Sequence, residues 1–497
     1  MKFIDIITIC KWLLISSTLC IVLFTGTSVM ATSPAGDVVG KVVVGYQGWW
    51  SCKGDGSPLN SWGHMNLEMW PDVREYTETF SGCPFQQAGV TEPAFTGTLG
   101  NGQPAKMFSS YSQQTMNTHF LWMQQNGIDC AALQIFSSYI RTGGTLLAFH
   151  TGVAQHMMSA AETYGRKFYI MYDVSSGDPF DVNWTNTMIN TLHVTSSPAY
   201  AKQNGKPVVC FWGVGIPGRG VIADWVTKIN WFKAQGCYVI AGAQQGWRSG
   251  TDMSCYNACD MVMPWMVGRT STTPQPYFES WYKADLAYCT THNLDYQADI
   301  YPGTGFYNSD PSWPKNKLPR MHGDFMWSQF AAAKNTGVQS IYISMFDEAQ
   351  EATSIFKCAE NASMVPAGKY FITLDADGVA CSADFYLRLT NDGGKMVKGL
   401  APYTTTHPTP HVVVASIAIP ARPNGEPLTF SGNYPREIKV FDITGRCVRT
   451  EVLPDNRTVA DVNGIHGVLR SEKIPAGIYL VRLQSSDVMR QVMGHIE

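Results

Sequence analysis

The chain has 497 residues, 36 Lys and Arg against 39 Asp and Glu, and a formal net charge of -3. At roughly 100–200 residues per domain it exceeds one ordinary domain, and the absence of any Lys/Arg run long enough to track a phosphate backbone argues against a nucleic-acid partner. Low charge content (15%) with 12% aromatic residues and 15 Trp points instead to rings with polar edges, the surface that stacks on sugars, although most such rings serve the core.

In chain order, Lys2 and Lys11, the apolar residues 12–24 and the small-residue site Val29-Met30-Ala31 read as a secretory signal over residues 1–31. Its apolar run is too short for the ~20 residues a membrane span needs, and no later segment is long enough. The expected product is secreted or displayed at the cell surface, with no membrane span after signal removal. Of 13 Cys, Cys10 and Cys20 leave with the signal. Export permits disulfides, and Cys52 with Cys83, or Cys255 with Cys259, are placed to act as local staples. Cys130 and Cys210, inside apolar runs, are expected as buried thiols. Neither Cys-x2-Cys nor His-Glu-x-x-His occurs, so no metal and no cofactor are expected.

Eight β-rich apolar runs follow, at residues 41–46, 129–136, 167–172, 207–211, 238–243, 261–265, 296–301 and 340–346. Helical stretches fit between them at 115–126, 147–164, 221–235, 276–292 and 321–336, and Gly127, Gly165, Gly236 and Gly337 stop four of these. Alternation of this kind predicts an α/β fold, a (β/α)8 TIM-like barrel over residues 38–400. Such a barrel builds its active site from whatever follows each strand. Here that lining is Tyr46, Gln47, Trp49 and Trp50, then Trp62 and His64; next Ser137, Ser138 and Tyr139; then Asp173, Trp212, Trp247 with Arg248, Trp265 and Tyr301. Aromatic platforms with scattered polar groups suit a polyhydroxylated ligand, an oligosaccharide or polysaccharide. The glycines at 213, 215, 218 and 220 lack phosphate-loop spacing.

The last strand opens on three carboxylates, Asp347, Glu348 and Glu351. A helical turn there would bring Glu348 and Glu351, three residues apart, onto one face as an acid/base pair. The plain alternative is the acidic first turn of a surface helix. A calcium site is disfavoured because the Asp/Asn loop pattern is missing.

Beyond residue 354 the sequence predicts accessory strands, with 385–389 and Asp392-Gly393-Gly394 forming a hairpin. Residues 401–425, with Pro408 and Pro410 beside His407 and His411, read as a linker. Residues 426–497 read as a separate β-sandwich module, used for sorting, anchoring or as an accessory. Sequons at Asn183, Asn361 and Asn456 are no more than chance supplies.

From about Val42 to Thr353 the chain resembles glycoside hydrolases of the family 71/99-like group, relatives of endo-acting α-mannosidases. Family 99 carries Phe-Asn-Glu-Trp-His-Glu-Gly-Thr after its last strand, where this chain has Phe346-Asp347-Glu348-Ala349-Gln350-Glu351-Ala352-Thr353. Gly45-Tyr46-Gln47-Gly48-Trp49-Trp50 with Trp62-Gly63-His64, Asn126-Gly127-Ile128-Asp129 and Gly205-Lys206-Pro207-Val208 add to the match. The resemblance implies retaining hydrolysis of an α-glycosidic bond. By position, Glu348 takes the role of deprotonating the sugar 2-hydroxyl, which attacks the anomeric carbon to give a 1,2-anhydro intermediate. Glu351 takes that of protonating the leaving oxygen and then activating water. Two close carboxyls would in any case be driven to unequal pKa values. Tyr301 resembles a family tyrosine near the anomeric centre, and Asp347 stands among the substrate-binding candidates. Ala349, Gln350 and Ala352 depart from the motif, so the sugar stays open, and a decayed barrel that binds surface glycans without cleaving them is the rival reading. The tail, residues 437–446 and 474–483, resembles the C-terminal sorting domain of bacterial type IX secretion.

Overall fold

The computed structural model describes residues 33–411, apart from 88–89, 175–178, 217–223 and 251–252, together with the strands within 437–496. Eight parallel strands run in chain order: β1 (Val42–Tyr46), β2 (Cys130–Phe136), β3 (Lys167–Asp173), β4 (Lys206–Trp212), β5 (Tyr238–Gln244), β6 (Met261–Trp265), β7 in two pieces (Asp295–Tyr296 and Ala298–Ile300) and β8 (Ile341–Ile343). Each pairs with its sequence neighbour, and β1 pairs with β8 through Val42 with Ile341 to Val44 with Ile343. The circle is completed at β7, where Asp295 and Tyr296 pair with β6 and, one residue on, Ala298 to Ile300 pair with β8. Gln297 bridges the change of partner, its N–H donating to Val262 at 3.1 Å. All eight strands stand where the alternating pattern places them.

The helical layer is α1 (Gln113–Gln125), α2 (Gly144–Tyr164), α3 (Trp225–Ala234), α4 (Pro274–Thr291), α5 (Asp324–Thr336) and α6 (Phe385–Val397). With helices outside and packed side chains inside, the strands are buried on both faces, which is why they read as continuous apolar runs. β1 is buried at every residue. Gly165 and Gly337 end α2 and α5 in the left-handed conformation, at φ 60° and 82°, where a side chain would be strained.

α6 is a correction, for a hairpin was expected at 385–394. Phe385, Leu389, Gly393, Met396 and Val397 recur at helical spacing and are buried. The two glycines that imitate a turn serve close approach instead. A Cβ on Gly393 would fall 2.4 Å from the Phe330 ring, and one on Gly394 would fall 2.8 Å from Val42. Residues 358–382 form no accessory strands either; they join the long loop after β1 through isolated bridges, Pro71 with Cys358 and Leu99 with Pro366. The described part of the expected linker, 401–411, is docked: Trp327 Nε1 donates to Thr404 O at 3.1 Å and Thr409 Oγ1 to Asp392 at 2.7 Å.

The staples are also corrected. Cys52, Cys83 and Cys259 are buried free thiols, so neither expected pair is bridged. Cys52 Sγ donates to Phe108 O at 3.2 Å, Cys83 Sγ to Pro84 O at 3.2 Å and Cys259 Sγ to Cys255 O at 3.5 Å. Cys130 and Cys210 are buried thiols as expected. Among the described residues no helix is long and apolar enough to cross a membrane; the leader at 1–31 lies outside them. The tail contributes a four-stranded antiparallel sheet in the order Cys447–Val452, Glu437–Phe441, Gly477–Gln484, Met489–Ile496. The remaining residues of the expected β-sandwich module lie outside the described ones.

Candidate functional site

The segment after β8 is a succession of turns rather than the expected helical one. Its shape comes from backbone groups held on every side. Asp347 accepts the N–H of Gln47 at 2.7 Å and of Gly48 at 2.9 Å, and its carbonyl accepts Trp50 Nε1 at 3.1 Å. Ala349 O accepts Glu68 N–H and Met69 N–H, while Glu348 O accepts Thr353 N–H and Ser354 N–H, both at 3.1 Å. Glu351 O takes Gly305 N–H at 3.0 Å and Thr304 Oγ1 at 2.7 Å. Ala352 sits at φ 53°, the left-handed region that favours glycine, and it occupies the glycine position of the motif.

These ties bring Glu348 and Glu351 together without a helix. Glu348 is 3% exposed, and its Oε1 accepts Gln350 N–H at 3.1 Å. Burial pushes its carboxyl well above the ordinary carboxylate range, and the charges of Glu351 and then Asp347 push it further. Glu351 is half-buried. A desolvated acid beside a more accessible one is how a protein makes two carboxyls differ in proton affinity.

One wall beside the pair is aromatic. Trp49 stacks on His64 at 4.0 Å between centroids and 7° between planes, and its ring also stacks on Phe136 at 5.6 Å. Trp49 is thus part of a ring stack that shapes this wall. Tyr139 reaches His64 Nε2 with its hydroxyl at 3.3 Å and lies flat on His150 at 4.2 Å. Burial, then Asp173 and Glu348, raise the Tyr139 hydroxyl pKa, which puts it in electrostatic reach of both acids. Burial lowers His64 to about 4, partly offset by the Gln350 side chain, so the imidazole is neutral near pH 7. At the floor, Asp173 accepts Gln134 Nε2 at 2.8 Å. Trp212 and Trp265, at the ends of β4 and β6, meet edge to face at 5.5 Å. Trp62 is half-buried against the core.

Glu348, Glu351, Trp49, His64 and Asp173 are thus gathered at the carboxyl ends of the strands. Six other expected sugar contacts have packing or hydrogen-bond partners within the fold. Tyr46 is fully buried and hydrogen-bonds His119 Nδ1 at 2.7 Å. Trp50 and Asp347 hold each other through the bond already described. Trp247 packs on Tyr256 and Tyr288, and Arg248 pairs with Asp285 of α4 at 2.5 Å. Tyr301 donates its hydroxyl to Arg269 O. Tyr139, expected in the lining after the second strand, is in the cluster. Gln350 is the residue sequence reasoning leaves out of the site, although it stands in the motif's histidine position. Among the described residues no group of three or more His, Cys, Asp and Glu could hold a metal ion.

No family model matches the chain, and no curated protein is similar to it. Solved structures are similar in fold. The GH99 endo-α-mannosidase from Bacteroides thetaiotaomicron aligns at a TM-score of 0.52 with 16% identity, over 73% of this chain and 98% of that chain. Its complex with bis-tris propane gives 0.52 and 14% over the same shares. The likeness is one of barrel architecture.

Proposed function

We propose that the protein is a secreted glycoside hydrolase that cleaves α-glycosidic bonds in a glycan or polysaccharide with retention of configuration. The observation that carries this reading is the buried Glu348 carboxyl, raised further by the nearby charge of Glu351 after β8, beside the ring cluster of Trp49, His64 and Tyr139. The barrel shared with endo-α-mannosidases supports it at the level of fold.

At rest the pair's proton sits on the buried Glu348; the reacting form is the minor tautomer with Glu348 ionised and Glu351 protonated, in which Glu348 takes the proton of the sugar 2-hydroxyl as O2 closes on the anomeric carbon. Glu351, more accessible, gives its proton to the departing oxygen, so the glycosidic bond breaks onto a neutral alcohol. Glu351, now ionised, takes a proton from water; the hydroxide opens the 1,2-anhydro ring and O2 recovers its proton from Glu348. Both acids end as they began. Neutral His64 and the Tyr139 hydroxyl offer hydrogen bonds to sugar hydroxyls without adding charge.

The test is a screen of α-linked oligosaccharides with the wild-type chain and with Glu351→Gln. Release of reducing ends by the wild type and not by the variant, with sugar binding kept, supports the reading. Binding without cleavage by both would favour the glycan-binding rival. For residues 1–31 and the tail we propose export and surface display, which fractionation of cells expressing the chain with and without 426–497 would test.

A further inference from the structure

We infer that Glu68 is a positioning residue that sets the spacing of Glu348 and Glu351; its effect on turnover rests on the glycosidase reading, its effect on geometry does not. Glu68 lies in the loop after β1 and is fully buried. Its own N–H donates to Ala349 O at 3.0 Å, and Met69 N–H donates to the same oxygen at 3.1 Å. Its side-chain Oε1 accepts the N–H of Asn308. Asn308 in turn donates its side-chain amide to Leu67 O at 2.8 Å and to Tyr370 O at 3.0 Å.

Asn308 stands three residues after Gly305, whose N–H holds Glu351 O at 3.0 Å. One segment therefore fixes the residue after Glu348, a second fixes Glu351, and the Glu68 carboxyl joins the two. The join is tight: a Cβ on Gly305 would lie 2.6 Å from Ile372 and 3.5 Å from Glu68 Oε2. Oε2 has no hydrogen-bond partner although it is buried. An unpaired buried oxygen is costly, and such costs persist chiefly where geometry serves function. Burial pushes this carboxyl up to about 7, so the neutral acid is readily populated and a glutamine can replace it.

Three variants separate positioning from mere support. Glu68→Gln keeps length and the Oε1 acceptor, and should retain kcat within about threefold. Glu68→Asp is one methylene short and should lose kcat about 100-fold, the scale on which a misplacement of about 1 Å acts, with KM little changed. Glu68→Ala should behave as the aspartate. The second readout needs no turnover: the carbon-13 carboxyl signal of Glu348, assigned against Glu348→Gln, should titrate at lower pH in Glu68→Asp than in the wild type, because the Glu351 charge has moved away. In Glu68→Gln it should stay in place. Equal kcat for the aspartate and glutamine variants, or an unmoved Glu348 titration in Glu68→Asp, overturns the inference. If the wild type cleaves no α-glycoside, the titration still decides it.

Discussion

The Asp347 carboxylate accepts the Gly48 N–H at 2.9 Å, so the end of β8 and the loop after β1 are one unit. Its second oxygen takes Gln47 N–H at 2.7 Å. Asp347→Asn turns one acceptor into an NH2 group facing an N–H donor. The expected cost is about 1–3 kcal/mol, read as a lower urea midpoint. An unchanged midpoint would show that the loop does not need both bonds.

Glu348 owes part of its raised pKa to the charge of Glu351. Removing that charge must lower it. With a glycoside whose leaving group needs no proton, Glu351→Gln should still complete the first step, and the acidic limb of its rate profile should lie at lower pH than in the wild type. A limb that stays put or rises separates the two residues.

His119 is buried between two hydroxyls, Tyr46 at 2.7 Å from Nδ1 and Tyr76 at 2.6 Å from Nε2. Burial lowers it to about 3, so the neutral ring donates to one and accepts from the other. His119→Phe keeps the aromatic packing, strands the Tyr76 hydroxyl and leaves Tyr46 only the Met116 sulfur at 3.3 Å. Denaturant unfolding should show a loss of about 1–3 kcal/mol, the cost of the one buried hydroxyl left wholly unpaired.

Asp347, Asp299 and Glu68 are each pushed up to about 7 by burial, from ordinary values of 3.8, 3.8 and 4.5. Between about pH 4 and 7 the folded chain then binds more protons than the unfolded one at these groups. Their contribution to stability is full below about pH 4 and is lost as pH rises through 7. The urea midpoint should be higher at pH 5 than at pH 8, and Asp299→Asn should flatten the difference. A midpoint that rises with pH would contradict the assignment.

The legible part of this molecule is the part written locally. Eight apolar runs of β-rich residues, five helical stretches and the glycines that stop them are properties of adjacent residues, and each strand and helix formed within a few positions of its pattern. Glu348 and Glu351 were legible for the same reason, since both follow a strand directly. α6 was misread because Gly393 and Gly394 look locally like a turn, while their purpose lies in Phe330 and Val42, far away in sequence.

By itself, then, the sequence determined the barrel, because alternation of strand and helix is encoded residue by residue. Only the tertiary structure decided which strand-end rings face the mouth. Tyr46 turned to His119, Arg248 to Asp285 and Tyr301 to the Arg269 carbonyl, and Tyr139 reached Glu348 and Asp173 electrostatically. A polar side chain at a strand end goes where its hydrogen bond is satisfied, and its partner is contributed by an element that only folding brings near.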